Sequence, residues 1–375
     1  MLVFIVLISM KRTILSMILS ASIVAANAQQ LIEVAQFGKN QPIGVTVAPK
    51  SNRLFVSFPH TEPYLYGLTE IVNGQRVPFP NEEWNKVDTA QTETHFVNVQ
   101  DLYADNMNNL WVLDSAPGGS AAVIGDNKKK EGRFKLIKIS LDDNKVQRIY
   151  DFDDLPKSES ALNDMCIDNS KQLAYLSDPG LKAIVVLDLN TGKSRIVLRN
   201  DKSTLATPGF KLHLDGKDVV DDSGKPFVSN VNGIALTHDN KWFYFRAINQ
   251  TKLYRIATEY LANITLSDAD LSSKVETVAE TGVCHGMIAD SRGYIYLSNS
   301  VDKSIQYVKP NGEVKTMVTD SRLIWPDSFG IGNDGYLYLS ASQMNRLPKY
   351  NNGKNMVSYP FRVYKVKLPK WQGWY

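Results

Sequence analysis

Six residues suited to holding or titrating a small ligand recur at the head of one short pattern. They are Ile43, Gln100, Asn163, Asn232, His285 and Asp327, spaced 57, 63, 69, 53 and 42 positions apart. Ile43 is apolar, but the other five form a polar set: amides that both donate and accept hydrogen bonds, an imidazole that titrates near neutral pH, and a carboxylate that accepts from a cation. If the chain brings them together, Gln100, Asn163, Asn232, His285 and Asp327 are candidate ligand-binding residues, with Asp327 the partner for an amine. His285 and Asp327 are also a candidate acid/base pair for tautomerisation, because proton transfer needs only a suitably placed titratable group. Asp327 is also a candidate for holding a divalent cation such as calcium, which takes oxygen ligands.

The elements that must position them are repeated six times: IGVTVAPKSNRLFVS, QDLYADNMNNLWVLD, NDMCIDNSKQLAYLSD, NGIALTHDNKWFYF, HGMIADSRGYIYLSNS and DSFGIGNDGYLYLSA. Each is an apolar strand, a tight turn and a second strand mixing aromatic and aliphatic residues. Further strand pairs follow around turn signals at Asn190-Thr191-Gly192 and Asn311-Gly312. Four-stranded repeats of this length are the signature of a β-propeller, so the fold class is all-β, a six-bladed β-propeller. The first strand of each blade lines one central channel, which is what would bring the six residues together. LIEVAQF near the start and FRVYKVKL near the end are strand-like and lie outside the six copies; they are expected to close the ring by sharing a blade, because free edges would expose unpaired backbone groups. The stretches 60–96, 116–134 and 200–230 fall outside the repeat pattern and are candidates for covering one mouth of the channel.

Composition supports one globular unit, with 43% hydrophobic and 22% charged residues. A net charge of +3 is too small to argue for nucleic acid or a membrane surface. Lys128, Lys129 and Lys130 belong to a polar loop and read as a solvated tip. Lys11 and Arg12, the apolar run from Thr13 to Val24 and the pattern Ala26-Asn27-Ala28 form a secretory signal, giving a signal peptide over 1–28 and a propeller over 29–375. Met10 is an alternative start, and an uncleaved anchor formed by the whole stretch is the other reading. Secretion to the periplasm or the exterior follows if the chain is bacterial, with no membrane insertion after cleavage. The two cysteines, Cys166 and Cys284, fall in blades that are not neighbours, so buried thiols are expected rather than a disulfide.

SALNDMCID, LAYLSDPG, NGIALTHDNKWFYFRAINQTKLYRIATEYL and WPDSFGIGNDGYLYLSAS resemble the major royal jelly and yellow protein family, as do GVTVAPKSNRLFVSFP and LWVLDSA. The resemblance runs over about residues 31 to 369 and has the character of a bacterial member. It implies a secreted six-bladed propeller, in a family whose members include nutritional glycoproteins, pigment-pathway proteins, some with dopachrome-converting activity, and salivary proteins that bind biogenic amines in the channel. It also implies a distant likeness to gluconolactonase-type propellers, which hold a divalent cation with a Glu from the first blade, Asn from the second and third, and Asp from the fourth.

This chain offers Ile43, Gln100, Asn163 and Asn232 at those places, so only Asn163 matches and both carboxylates are missing. Asp101, Asp164 or Asp327 could compensate, but regular strand alternation would turn Asp101 and Asp164 away from the channel, to cap turns or meet backbone amides. The leading expectation is a secreted propeller that binds a small polar or aromatic molecule in its channel. A metal-dependent hydrolase of gluconolactonase type is the alternative, and a structural or nutritional protein without a site is the third reading.

Overall fold

The computed structural model describes residues 29–87, 92–118 and 131–369. The expected signal peptide over 1–28, with Met10, and the Lys128–Lys130 run lie outside the described residues. Six four-stranded antiparallel sheets are arranged as the blades of a propeller, and five of them order their strands consecutively from the axis outward. The inner strands are Val45–Val47, Val99–Ala104, Met165–Asp168, Val231–Leu236, Met287–Ala289 and Pro326–Ile331. The turns at Gly192 and Gly312, both at positive φ, sit between third and outer strands as their sequences require.

The ring closes as the terminal strands suggested. Tyr336–Ala341 pairs with Pro326–Ile331 and with Arg362–Lys367, and the N-terminal strand Ile32–Gln36 pairs with Arg362–Lys367 as the outer strand of blade 6. Arg362 Nε meets Glu33 Oε2 at 2.8 Å across this junction. Inside it, Leu31, Ala35 and Phe37 are buried.

Aromatic residues recur on second strands because they fill the space between blades and their polar ends have a partner at hand. Trp111 Nε1 donates to Asp105 at 2.8 Å, the Tyr296 hydroxyl to Asp290 at 3.1 Å, and the Tyr338 hydroxyl to Asp334 at 2.7 Å. In each case the aspartate belongs to the turn just before the strand. The same carboxylate also ties turn amides: Asp105 accepts from Met107 N and Asn109 N, and Asp290 from Arg292 N and Tyr294 N. One residue therefore fixes both the turn and the large side chain packed behind it.

One of the non-repeating stretches differs from its sequence reading and another agrees with it. The segment 60–96 holds the two outer strands of blade 1, Leu68–Val72 and Gln75–Pro78, and a short helix, Glu82–Asn85. Its polar exposed strand Gln75–Pro78 carries no aromatic-aliphatic pattern, which hid it. The segment 200–230 does act as a cover: Leu212, Leu214 and Val219 form one buried cluster with Ile248, Val283, Trp325 and Tyr350, against which Phe227 packs. Part of the stretch 116–134 lies outside the described residues. Among the described residues no helix is long and apolar enough to cross a membrane, and Cys166 and Cys284 are buried free thiols.

Candidate functional site

Each inner strand begins with a β-bulge, and this local irregularity decides what faces the axis. In blade 2 Val99 pairs with Asp114 and Asp101 with Leu113, leaving Gln100 as the extra residue. Blade 4 does the same between Val231 and Ile234, and blade 6 between Pro326 and Phe329. In blade 3, Asn163 N donates to Ser177 O while Ser177 N donates to Asp164 O, so two residues again face one. A bulge interrupts the two-residue alternation of a strand. That is why Asp101 and Asp164 reach the axis although regular alternation would turn them away.

Serine on the second strand stabilises several bulges. Ser57 Oγ accepts from Gly44 N at 2.8 Å and donates to Gln100 O in the next blade at 3.1 Å. Ser340 Oγ lies 3.2 Å from Ser328 N and donates to Ile43 O at 2.6 Å. The inner strands crowd so closely here that a Cβ on Gly286 would lie 1.7 Å from Asp327 O, and one on Gly233 2.8 Å from His285 O. Glycine follows the opening residue in blades 4 and 5 because no side chain fits; in blades 2 and 3 the same position carries Asp101 and Asp164.

A cavity of about 120 Å³ runs along the axis from these bulges to the turns after the inner strands. Its floor is formed by Ile43, Asp101, Asp164 and Asp327, and its walls include Leu102, Tyr103, Ile234, Met287 and Phe329. Asn106 and His238, both exposed, line the far end, so the cavity opens to solvent there. The opposite end is sealed. Trp325, 3% exposed, stacks on His285 with ring centroids 4.0 Å apart, beneath the cover from 200–230. Trp325 holds φ at 50°, unusual for a bulky residue, and its carbonyl is bound by Ser342 N and by the Ser342 hydroxyl.

Of the six opening residues, Ile43 and Asp327 line the cavity; Gln100, Asn163, Asn232 and His285 do not. Gln100 Nε2 donates to Asn163 Oδ1 at 3.3 Å, and Asn163 Nδ2 donates to Asp164 Oδ1 at 2.7 Å. Asn232 is buried. His285 is 1% exposed, and among the described residues neither ring nitrogen has a hydrogen-bond partner. Burial pushes its pKa down to about 3, and the charge of the buried Arg246 acts in the same direction. Its surroundings therefore favour the neutral imidazole, and His285 stands apart from the cavity that contains Asp327.

The three floor carboxylates have the opposite character. Burial pushes Asp101 up to about 7, with the charge of Asp327 adding and the amides of Met165 and Leu102 opposing. Met165 N donates to Asp101 Oδ2 at 2.9 Å, so Asp101 does meet a backbone amide as well as the cavity. Burial pushes Asp327 up to about 7 against a hydrogen bond from Ser342. Asp164 is held well above the usual carboxylate range by burial, then by Asp101 and Asp327. Carboxylates in this state have an unmet demand for positive charge or for protons.

A family model for the major royal jelly protein matches residues 97–372. The chain belongs to the major royal jelly protein family. Among proteins of curated function, none matches it. Its fold is similar to that of a putative gluconolactonase, at 11% identity and a TM-score of 0.54 over 90% of this chain and 92% of the other. It is also similar to a luciferin-regenerating enzyme, at 13% identity and a TM-score of 0.53 over 92% and 98% of the two chains. Regucalcin from Agrobacterium tumefaciens, described as a calcium-binding protein, gives 11% identity and a TM-score of 0.52 over 93% and 97%. These likenesses establish the propeller, and chemistry has to be judged from the residues of this royal jelly family member.

For a divalent cation the residues do not fit. Among the described residues no three His, Cys, Asp or Glu side chains are grouped so as to hold a metal ion. Asn163, the one residue matching the lactonase pattern, has its oxygen engaged by Gln100 and its nitrogen by Asp164. The floor carboxylates act on one another electrostatically but are not gathered around one point.

The buried imidazole makes a testable prediction. Because the folded pKa of His285 lies below its unfolded value, its neutral form favours folding fully above about pH 6.5, and that contribution is lost as pH falls toward about 3. His285→Phe keeps the stack on Trp325 and removes two unpartnered polar atoms. Thermal melts should show the variant at least as stable as the parent at pH 7 and increasingly favoured as pH is lowered. A variant that loses stability relative to the parent on acidification contradicts this placement of His285.

Proposed function

We propose that this royal jelly family member is a secreted protein that binds a small organic cation with an apolar or aromatic body in its axial cavity. The observation that carries the reading is the floor: Asp101, Asp164 and Asp327 at the closed end of a cavity walled by Leu102, Tyr103, Ile234, Met287 and Phe329. A primary amine seated there would satisfy carboxylates that no lysine or arginine of the cavity lining approaches. Apolar walls favour a ring or alkyl chain above it, and the polar mouth at Asn106, Asn169 and Asn240 suits a hydroxyl at the outer end. The N-terminal leader pattern supports secretion.

Titration calorimetry with an arylalkylamine and the alcohol of the same skeleton tests the reading. The amine should bind at least about tenfold more tightly, since a charge-assisted hydrogen bond adds roughly 1.5–3 kcal/mol. Chelator should leave that affinity unchanged. Equal affinities would remove the role of the acidic floor. Stoichiometric calcium with chelator-sensitive lactone turnover would replace this reading with the hydrolase.

A further inference from the structure

Regular pairing resumes just outward of the blade 2 bulge, with Asp101 opposite Leu113, Leu102 opposite Val112 and Tyr103 opposite Trp111. Alternation from Asp101 therefore puts Tyr103 on the same face of the strand, roughly 6–7 Å nearer the mouth. The other blades carry small or aliphatic residues at that place: Thr46, Cys166, Ala235, Ile288 and Gly330. Tyr103 is the long polar side chain of this level, and it lines the cavity. Its ring packs against two buried clusters, one with Met165 and Ile167 and one with Cys166, Ile234 and Leu236, so it lies across the inner strand of blade 3.

The Tyr103 hydroxyl has no hydrogen-bond partner among the described residues. Unlike the ring nitrogens of His285 it is not walled in, and for a side chain held between inner strands the opening is the cavity. The carboxylates nearest to it are already used. Asp105 Oδ1 accepts from Met107 N and Asn109 N, and Oδ2 from Trp111 Nε1 and Asn169 Nδ2. Asp168 Oδ1 accepts from Ser170 N and Lys171 N, and Oδ2 from Lys171 Nζ. Burial, then Cys166, Asp105 and Asp168, hold the phenol above its ordinary value, so it stays protonated and can donate. A donor in an apolar wall with no protein acceptor is unfavourable until water or a ligand atom meets it.

We propose that Tyr103 is a specificity-determining residue of the axial cavity, its hydroxyl donating to an oxygen acceptor part-way along the ligand. The class of ligand this selects rests on the cavity being the cation site. With an ammonium on the acidic floor, the favoured ligand carries an ether or carbonyl oxygen roughly 6–7 Å from its nitrogen. A hydrocarbon body of the same shape fills the same space between Met287 and Phe329 but displaces water from the phenol and leaves it unpaired. The floor thus selects charge, and Tyr103 selects what is attached to it.

Titration calorimetry on the full protein with four probes tests this: 4-methoxybenzylamine, 4-ethylbenzylamine and the two matching benzyl alcohols. Methoxy and ethyl groups have nearly the same shape and differ by one ether oxygen. The methoxy amine should bind about three- to tenfold more tightly than the ethyl amine. Tyr103→Phe should abolish that preference by weakening the methoxy amine alone, and should melt with the parent because the hydroxyl makes no bond within the protein. Equal affinities of the two amines in the parent, or a preference that survives in Tyr103→Phe, would overturn the proposal. Amines that bind no better than the alcohols, with a methoxy preference still dependent on Tyr103, would remove the cation reading and keep the role of Tyr103. Amines that outbind the alcohols without a methoxy preference would do the reverse, and binding of none of the four would overturn both.

Discussion

Converting Asp101 and Asp327 together to asparagine is expected to weaken binding of an arylalkylamine by on the order of 100-fold while leaving the neutral alcohol almost unaffected. The two substitutions keep shape and hydrogen-bonding capacity but remove both charges that would face the ammonium. The pH dependence should change with them. Both carboxylates ionise near pH 7, so amine affinity in the parent should rise from pH 6 to pH 8 and then level off; the double variant should show a flat profile. Stability should move the other way. A carboxyl whose folded pKa is raised stabilises the fold fully only below its unfolded value near 4, and that contribution is lost as pH rises through about 7. At pH 8 the ligand-free double variant should therefore melt above the parent, whereas at pH 4 the difference should shrink. A double variant that binds amine as tightly as the parent would remove the electrostatic basis of the site.

Deleting the N-terminal strand is expected to have the largest effect on stability. Ile32–Gln36 forms the outer strand of blade 6, and its removal strips the backbone ladder from Arg362–Lys367 together with the buried contacts of Leu31, Ala35 and Phe37. Burial of two large apolar side chains and an alanine contributes roughly 5 kcal/mol, comparable with the whole stability of an ordinary domain. A chain beginning at Asn40 should melt at least roughly 10 °C below the full protein, or fail to fold. The exposed edge of Arg362–Lys367 should also favour association, visible by light scattering. A truncated chain that melts with the parent would mean the ring is closed by something other than this strand.

The repeat made the architecture legible. Six copies with an aromatic second strand describe the blades, and the two strand-like termini, unused by any copy, describe the closure. Blade 1 was harder, because its outer strand Gln75–Pro78 is polar and largely exposed and has no alternating signal. The site was legible only in part. Position along the strand identified the level of the channel at which chemistry sits, and Asp327 lies in the cavity. A bulge at the same level reversed the expected roles of neighbours: Asp101 and Asp164 face the cavity, while Gln100 and Asn163 support it from behind. The sequence contained a hint, since Asp follows the opening residue in blades 2 and 3 where Gly follows it in blades 1, 4 and 5. The sealing of His285 beneath Trp325 had no local signal, because it depends on Leu212, Leu214 and Val219 from a segment outside the repeat.

A crystal structure of the protein with a bound arylalkylamine decides where the ligand sits. The ammonium is expected within hydrogen-bond distance of Asp101 and Asp327, with the ring against Tyr103 or Phe329 and the mouth at Asn106 and His238 left open behind it. An amine found beneath the Trp325 cover, or one in the cavity whose nitrogen points to the mouth and away from all three carboxylates, would contradict it.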